Sequence, residues 1–343
     1  MKIEKRKLDD IHRCYAVTCM SYDEKNHYVF ASEDPNVVCE SFCGENFEFE
    51  EKIWTMPGGC MSIVQVSENE KSFLAIQEFY MKVSPSLAKV VLGKKKDGVW
   101  DFKDVLKLPY VHRFDIYSIE NVNYFICATL AKDKKNKEDW STPGAIYVGE
   151  LSEDLERIVN LKILKDGMFK NHGYCRDYDD GKILGYFGCD DGIYKVTPPY
   201  SKAEDWKIEK VFSGCISEIA VIDIDMDGEK EFMTIEPFHG DSIYIYKKIN
   251  GKYERVYRYN NEINFAHSLI AGNLRGTPTF IAGVRRNDSE LFCVQHREGE
   301  FITEIIDTGG GPANLFLVNE GHRDLILSAN HTSNEAIVYI ITD

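Results

Sequence analysis

A strand–turn–strand unit recurs seven times along the chain, and this repeat constrains the fold more than any other feature of the sequence. Each unit contains two short runs of β-branched and aromatic residues joined by a turn, then a third run and a more variable fourth. The units begin near residues 12, 59, 112, 172, 218, 267 and 314. Many short strands at regular spacing are typical of all-β folds, and long helical periodicity is absent.

The length of the repeat, roughly 45 to 60 residues, distinguishes among the all-β folds. A solenoid has shorter repeats and a sandwich does not repeat in this way, whereas four strands per unit is the layout of a propeller blade. The sequence therefore predicts an all-β, seven-bladed β-propeller with four-stranded antiparallel blades, formed as a single domain over residues 1–343. How the ring closes is left open. An N-terminal strand from KRKLDDIH, residues 5–12, would complete the last blade.

One residue of each unit falls at the same point, the start of the first strand of its blade. Aligning the units places these residues there: His12, Gly59 or Cys60, His112, His172, Glu218, His267 and Asn314. Four of the nine histidines share this position, far more than chance would put there. Because the first strands surround the central channel of a propeller, we expect these side chains to converge on its axis.

Consecutive blades three to six supply a chemically coherent set at this position: His112, His172, Glu218 and His267. Neutral imidazoles and a carboxylate are ligands for divalent transition metals such as Zn, Mn, Fe or Ni. The pattern thus predicts an axial metal site. The alternative is that these groups line a water-filled channel and form hydrogen bonds with the backbone.

The fifth unit carries the sharpest local motif, DIDMDGEKEF, between its first two strands. Asp223, Asp225 and Asp227 present oxygens in alternation, and Gly228 permits a tight turn. The motif resembles the calcium loop of VCBS/FG-GAP-type propeller blades, and this resemblance implies a structural Ca²⁺ held by the three aspartates. The alternative is an acidic turn in which the Asp side chains only bind the backbone.

More loosely, the His-rich axis resembles the propeller of aldos-2-ulose dehydratase-like proteins. That resemblance implies metal-assisted chemistry on keto-sugars. Catalytic side chains are expected on the loops after the second strand of each blade, because function concentrates on loops held by a rigid scaffold. These loops supply four candidates: His239, His331, Arg285 and Tyr80.

Each candidate has a chemical role and an ordinary alternative. His239 and His331 are candidates for a general acid and base, or are turn residues. Arg285 is a candidate for a bidentate clamp on a carboxylate or phosphate, or forms a structural ion pair. Tyr80 is a candidate proton donor to a leaving group, or a surface aromatic residue.

Two classes of function follow. The first is a metal-dependent lyase, dehydratase or isomerase that acts on a sugar or keto-sugar, with the metal polarising a carbonyl. The second is a non-catalytic propeller that binds a glycan or a protein partner. P-loop, G-x-G-x-x-G and G-x-S-x-G motifs are absent, so nucleotide chemistry and serine hydrolysis have no support.

Composition narrows the partners and the compartment. The formal net charge of −15 disfavours nucleic acid, and the sequence contains no run of about 18 apolar residues that would suggest membrane insertion. Ten cysteines without a CxxC pair, and an N-terminus without an apolar signal region, predict reduced thiols in a cytoplasmic protein. We expect a small carbohydrate-like ligand and a monomer or homodimer.

Overall fold

The computed structural model describes residues 1–80, 84–201 and 203–343, which fold as two compact units. The first comprises Met1–Val17 and Cys215–Asp343, and the second comprises Thr18–Gly214. We refer to them as the terminal unit and the central unit. Among the described residues the one helical segment is a single 3-10 turn, Pro85–Leu87.

The central unit contains four antiparallel sheets whose strands follow one another in chain order. Strand β2 begins within the terminal unit's N-terminal segment and runs into the first of these sheets. The first two sheets comprise β2 (Cys14–Tyr22), β3 (Lys25–Ser32), β4 (Cys39–Cys43), β5 (Glu48–Trp54), β6 (Ile63–Gln65), β7 (Ser72–Gln77), β8 (Lys89–Lys96) and β9 (Val99–Lys107). The next two comprise β10 (Val111–Ile119), β11 (Val122–Thr129), β12 (Gly144–Leu151), β13 (Ile158–Met168), β14 (Gly173–Asp179), β15 (Lys182–Cys189), β16 (Gly192–Thr197) and β17 (Lys207–Phe212).

The terminal unit contains three sheets, and the last of them includes the N-terminal strand. Two sheets comprise β18 (Glu218–Ile222), β19 (Glu231–Glu236), β20 (Ser242–Ile249), β21 (Lys252–Arg258), β22 (Asn264–Leu274), β23 (Thr277–Arg286), β24 (Leu291–Arg297) and β25 (Glu300–Asp307). The third comprises β26 (Pro312–Asn319), β27 (Asp324–Asn330), β28 (Glu335–Thr342) and β1 (Lys2–Asp10). β1 pairs antiparallel with β28, so the predicted N-terminal strand does complete the last blade.

Burial follows the sequence pattern of each strand. The second strands are almost continuously apolar, and every residue of β7 and β27 is buried. The fourth strands alternate, as in β9 and β21, where exposed residues separate partly buried ones. A strand that is buried on both faces is typically rich in apolar residues along its length. A strand with one solvated face typically alternates polar and apolar residues.

Apolar side chains from neighbouring sheets pack between them and form the core. In the terminal unit Met233 of β19, Phe280 of β23 and Phe292 of β24 belong to one buried cluster. In the central unit Ile126 of β11 and Phe187 of β15 belong to another. Burial of this surface, at about 25 cal/mol per Å² of apolar area, is the main favourable term that holds the sheets together.

Seven sheets of four antiparallel strands, repeated along the chain, confirm the predicted architecture: the protein is an all-β, seven-bladed β-propeller. Within the described ranges, no helix is long and apolar enough to cross a membrane.

Candidate functional site

β-bulges mark the start of the first strand in three blades. The strand register shifts between Val111 and Arg113, between Ala266 and Ser268, and between Pro312 and Asn314. The residues left out of the ladder are therefore His112, His267 and Ala313. Because a bulge turns its extra residue away from the regular pleat, it can re-aim a side chain towards a site. The bulged residue of the seventh blade is Ala313, one position before the predicted Asn314.

His267 is buried in the terminal unit, with 1% of its surface exposed. Its Nδ1 lies 2.7 Å from the carbonyl oxygen of Ala313, and its Nε2 lies 3.4 Å from the hydroxyl of Tyr15. A carbonyl can only accept, so Nδ1 carries the proton and Nε2 is left as an acceptor that faces the Tyr15 hydroxyl. Nδ1 is thus bonded to the backbone and Nε2 faces the Tyr15 hydroxyl. Metal-bound histidines commonly donate their second N–H to a backbone carbonyl, so metal binding by His267 stays a prediction.

His239 lies beside His267 in an aromatic stack. Its ring centroid is 5.0 Å from that of His267, 4.0 Å from Phe238 and 4.5 Å from Phe265. The His239 backbone has a φ of +49° and its amide donates to the Ser217 hydroxyl at 2.9 Å. A left-handed backbone of this kind persists where surrounding contacts fix it, here the stack and the hydrogen bond.

Arg285 and His331 form a second contact in the same unit. An Nη2 of Arg285 at the end of β23 lies 2.7 Å from Nδ1 of His331, in the turn after β27. From the other side, Nε of Arg13 donates to Nε2 of His331 at 3.3 Å. The end of β23 and the turn after β27 thus bring Arg285 and His331 together.

These groups border a pocket of about 320 Å³ lined by Phe265, Arg285, Arg286, His331 and Thr332. The Phe265 backbone has a φ of +61°, and its ring lies 5.0 Å from the guanidinium carbon of Arg285 and 4.6 Å from that of Arg286. Burial lowers the pKa of Arg285 to about 10, and the positive charges of Arg13 and Arg286 act in the same direction. The pocket therefore concentrates positive charge, and its lining contains no acidic side chain.

The glycine-rich loop before β26 supports this pocket. Gly311 has a φ of +63°, and a Cβ there would come within 2.1 Å of the Thr332 hydroxyl, so any larger residue would displace Thr332. That hydroxyl donates to the carbonyl oxygen of Arg285 at 2.8 Å, and the Ser289 hydroxyl donates to the same oxygen at 3.2 Å. The backbone of Arg285 is thereby fixed from two sides.

Sequence reasoning missed Phe265, Arg13 and Tyr15, which complete the cluster. No local motif distinguishes them, since Arg13 contacts a residue 318 positions away and Tyr15 one 252 positions away. One usable signal was present, because Arg285 and Arg286 are adjacent basic residues in an acidic chain.

The remaining predicted axial residues divide between the units. His112 and His172 lie together in the central unit, both buried, with ring centroids 4.5 Å apart. Glu218 lies in the terminal unit at the start of β18, where it is 3% exposed. The predicted ligands are therefore buried polar groups on inner strands, and metal binding at them stays a prediction.

Tyr80 lies in the central unit and takes no part in the Arg285 cluster. Its ring contacts Gly59, where a Cβ would come within 2.7 Å of it. Burial, and after it the nearby Glu78 carboxylate, raises the pKa of Tyr80. The hydroxyl is thus held protonated, as the predicted proton donor requires, and its role stays a prediction.

A lysine of strand β20, Lys247, contacts the acidic loop of the fifth blade. Asp223 accepts hydrogen bonds from the backbone amides of Asp227 at 3.1 Å and Gly228 at 2.9 Å, which is the turn arrangement that was the alternative to calcium. The ammonium of Lys247 on β20 contacts Asp225 and lies 2.7 Å from Asp227. Carboxylate oxygens of Asp223, Asp225 and Glu231 lie within 4.8 Å of one another, so the donor set suits a hard cation. Calcium binding stays a prediction, and it requires Lys247 to move.

Comparison with known proteins identifies the fold but no family. No protein-family model and no curated protein matches the chain. Among solved structures, Saccharomyces cerevisiae Sqt1 is similar over 100% of this chain and 99% of its own, with 10% identity and a TM-score of 0.58. The β-propeller domain of Myceliophteria thermophila Cps50 (Swd1) is similar over 100% of both chains, with 11% identity and a TM-score of 0.62.

The structural similarity supports the β-propeller architecture. At sequence identities this low it gives no information about activity. Neither structure is described as a calcium-loop propeller or as a sugar-acting enzyme. The resemblance to VCBS/FG-GAP blades and to keto-sugar dehydratases therefore gains no support from these comparisons.

Proposed function

We propose that the protein is a non-catalytic β-propeller that binds a protein partner at the Arg285 pocket. The observation that carries the proposal is the contact of His331 with two guanidinium groups, since Nη2 of Arg285 and Nε of Arg13 lie 3.0 and 3.3 Å from its Nε2. Arginine side chains only donate, so they occupy the acceptor nitrogen that a general base would use. This arrangement favours recognition over proton transfer.

The composition of the pocket supports the same conclusion. Arginine and aromatic side chains are enriched at the centres of protein interfaces, where they contribute most of the binding energy. Arg285, Arg286 and Phe265 provide this combination on a backbone that Thr332 and Ser289 hold in place. A rigid, pre-formed contact surface loses little conformational entropy on binding.

A photo-crosslinking amino acid placed at the exposed Thr332 tests the proposal in the cells that produce the protein. In this variant the Ser289 hydroxyl still donates to the carbonyl oxygen of Arg285 and holds the pocket. The matched control carries the same amino acid at Ile302, an exposed residue of the outer strand β25 in the same unit. We expect a discrete covalent adduct with one protein from Thr332 and none from Ile302. Identical adduct patterns at both positions, or none at either, would contradict the proposal.

The second candidate function is a metal-dependent lyase, dehydratase or isomerase acting on a sugar or keto-sugar. It is favoured by one observation, the buried pair of His112 on β10 and His172 directly before β14. Metal analysis of the purified protein tests it. A stoichiometric transition metal that is lost in His172→Ala supports the enzyme, whereas equal metal content in the wild type and this variant removes the axial site.

A further inference from the structure

We propose that the pocket formed by Arg285 and Arg286 binds an anionic side chain of a peptide, either a carboxylate or a phosphoryl group. The inference rests on the proposed protein-binding function and names the chemistry of the partner. In this proposal the guanidinium of Arg285 forms the main contact with the anionic group.

The first argument is the charge at the site. The protein carries a net charge of −15, yet this pocket is lined by two arginines and no acidic residue. Among the residues that the structure describes, neither Arg285 nor Arg286 forms an ion pair. Other basic residues do, among them Lys5, Lys89, Lys95, Arg176 and Lys247. A partly buried charge without a counter-charge is unfavourable, and an incoming anion would supply one.

The second argument is the orientation of Arg285. His331 receives one edge of its guanidinium at 2.7 Å, and Thr332 and Ser289 fix its carbonyl oxygen. A guanidinium held in this way keeps further N–H groups of its planar fork for a second partner. Carboxylates and phosphoryl groups match that fork with two parallel hydrogen bonds.

The third argument is the apolar base of the pocket. Phe265 lies against both guanidinium groups and stacks on His239, so its ring cannot leave without disrupting the stack. The left-handed backbone of Phe265, with a φ of +61°, points to a conformation that its surroundings enforce. The Phe265 ring therefore covers part of both guanidinium groups and leaves their N–H edges to an anion.

The fourth argument is size. A pocket of about 320 Å³ accommodates one side chain or a free anion, and two cationic side chains, Arg285 and Arg286, line it. Extended polyanions such as nucleic acids need a row of cationic contacts. A single anionic group presented by a peptide fits the observed dimensions.

The experiment uses the purified full chain with two probes, inorganic phosphate and glutarate, each compared with NaCl at equal ionic strength. We expect a saturable rise in Tm of roughly 2 to 5 °C with at least one probe. The bound anion should also protect Arg285 and Arg286 from phenylglyoxal, as mapped by peptide mass spectrometry. Protection by phosphate alone identifies phosphoryl recognition, by glutarate alone carboxylate recognition, and by both a general anion site.

Two matched variants keep the test decisive. Arg285→Gln retains a donor for His331 but removes the charge, and Arg258→Gln removes an exposed charge at the end of β21 in the same unit. We expect the anion-dependent Tm shift to disappear in the first variant and persist in the second. An equal shift in both variants, or no shift beyond NaCl in the wild type, overturns the anion site.

Failure of this inference and failure of the proposed function give different results. A Thr332 adduct that forms in a protein insensitive to both anions leaves protein binding intact and rejects the anion site. Specific anion binding without any Thr332 adduct retains the site and rejects the protein partner.

Discussion

Two arginines, one in each unit, differ in whether the fold supplies a counter-charge. Arg176 on β14 of the central unit donates from Nε to Asp115 at 2.7 Å, and a second guanidinium nitrogen contacts the same carboxylate. Tyr174 also donates to Asp115. Burial by itself would lower the pKa of Arg176, but the Asp115 carboxylate outweighs burial and raises it.

Arg285 on β23 of the terminal unit has the opposite surroundings. Its neighbours are Arg13, Arg286 and His331, and its pKa is lowered to about 10. Arg285 therefore remains positively charged at pH 7, but no acidic side chain pairs with it among the described residues. The difference separates a charge that stabilises the structure from a charge that is available to a ligand, because uncompensated buried charge is commonly found at functional sites.

The largest effect should come from breaking the compensated pair. Arg176→Gln leaves the Asp115 carboxylate, whose side chain is 6% exposed, without its cation. Loss of one partner from a buried pair usually costs about 3 to 5 kcal/mol, and we expect the lower end because about a third of the Arg176 side chain is exposed. Urea denaturation measures the change.

The double variant Arg176→Gln, Asp115→Asn is the control for this prediction. It removes the orphaned charge and should recover more than half of the lost free energy of unfolding, since the destabilisation comes from the unpaired carboxylate. Equal destabilisation in the single and double variants would show that the pair acts through packing and not through charge.

Lys247 on β20, which contacts the acidic loop, provides a second compensated charge, and its removal should rank next. Lys247→Met leaves Asp225, Asp227 and the buried Glu231 without their shared cation, at an expected loss of about 2 kcal/mol. The exposed Lys248→Met is the control and should be neutral. Millimolar Ca²⁺ that restores the stability of Lys247→Met alone would show that the lysine replaces a calcium ion, and absence of any rescue would remove the calcium prediction.

The sequence predicts the blades well because they depend on local patterning. Alternating and continuous apolar runs specify the strands, and their repetition specifies seven sheets. It also predicts that Arg285 and His331 lie on the same face, since each is assigned to the end of the second strand of its blade or the loop after it. The register of the repeat is enough to assign Arg285 and His331 to a common edge of their blades.

The rest of the site depends on details that the repeat does not encode. A bulge sets His267 out of the ladder of its blade, and a separate bulge in the last blade leaves out Ala313. No residue pattern in the sequence marks either bulge. Lys247 reaches the acidic loop only because Phe232 pairs with Tyr246, which sets the neighbouring Glu231 and Lys247 side by side. Contacts such as Arg13 with His331 join opposite ends of the chain and require the folded structure.

The uncompensated arginine should respond to the same substitution with the opposite sign. Arg285→Gln removes a partly buried charge that has no counter-charge, so the free energy of unfolding should rise by about 1 kcal/mol. Urea denaturation of this variant beside Arg176→Gln compares the two arginines directly. A loss of stability in both variants would contradict the division between structural and ligand-binding arginines.

The smallest effect concerns pH and the acidic loop. Burial raises the pKa of Glu231 to about 7, with the neighbouring Asp225 carboxylate acting in the same direction, against an ordinary value of 4.5. The folded state therefore binds this proton more tightly than the unfolded state, so the stabilisation is complete below about pH 4.5 and is lost as the pH rises through 7. Glu231→Gln should flatten that decline and gain about 1 kcal/mol or less at pH 8, because Lys247 already offsets part of the carboxylate charge. Unfolding curves between pH 5 and 8 measure it, and an unchanged decline in Glu231→Gln would assign the pH dependence to another group.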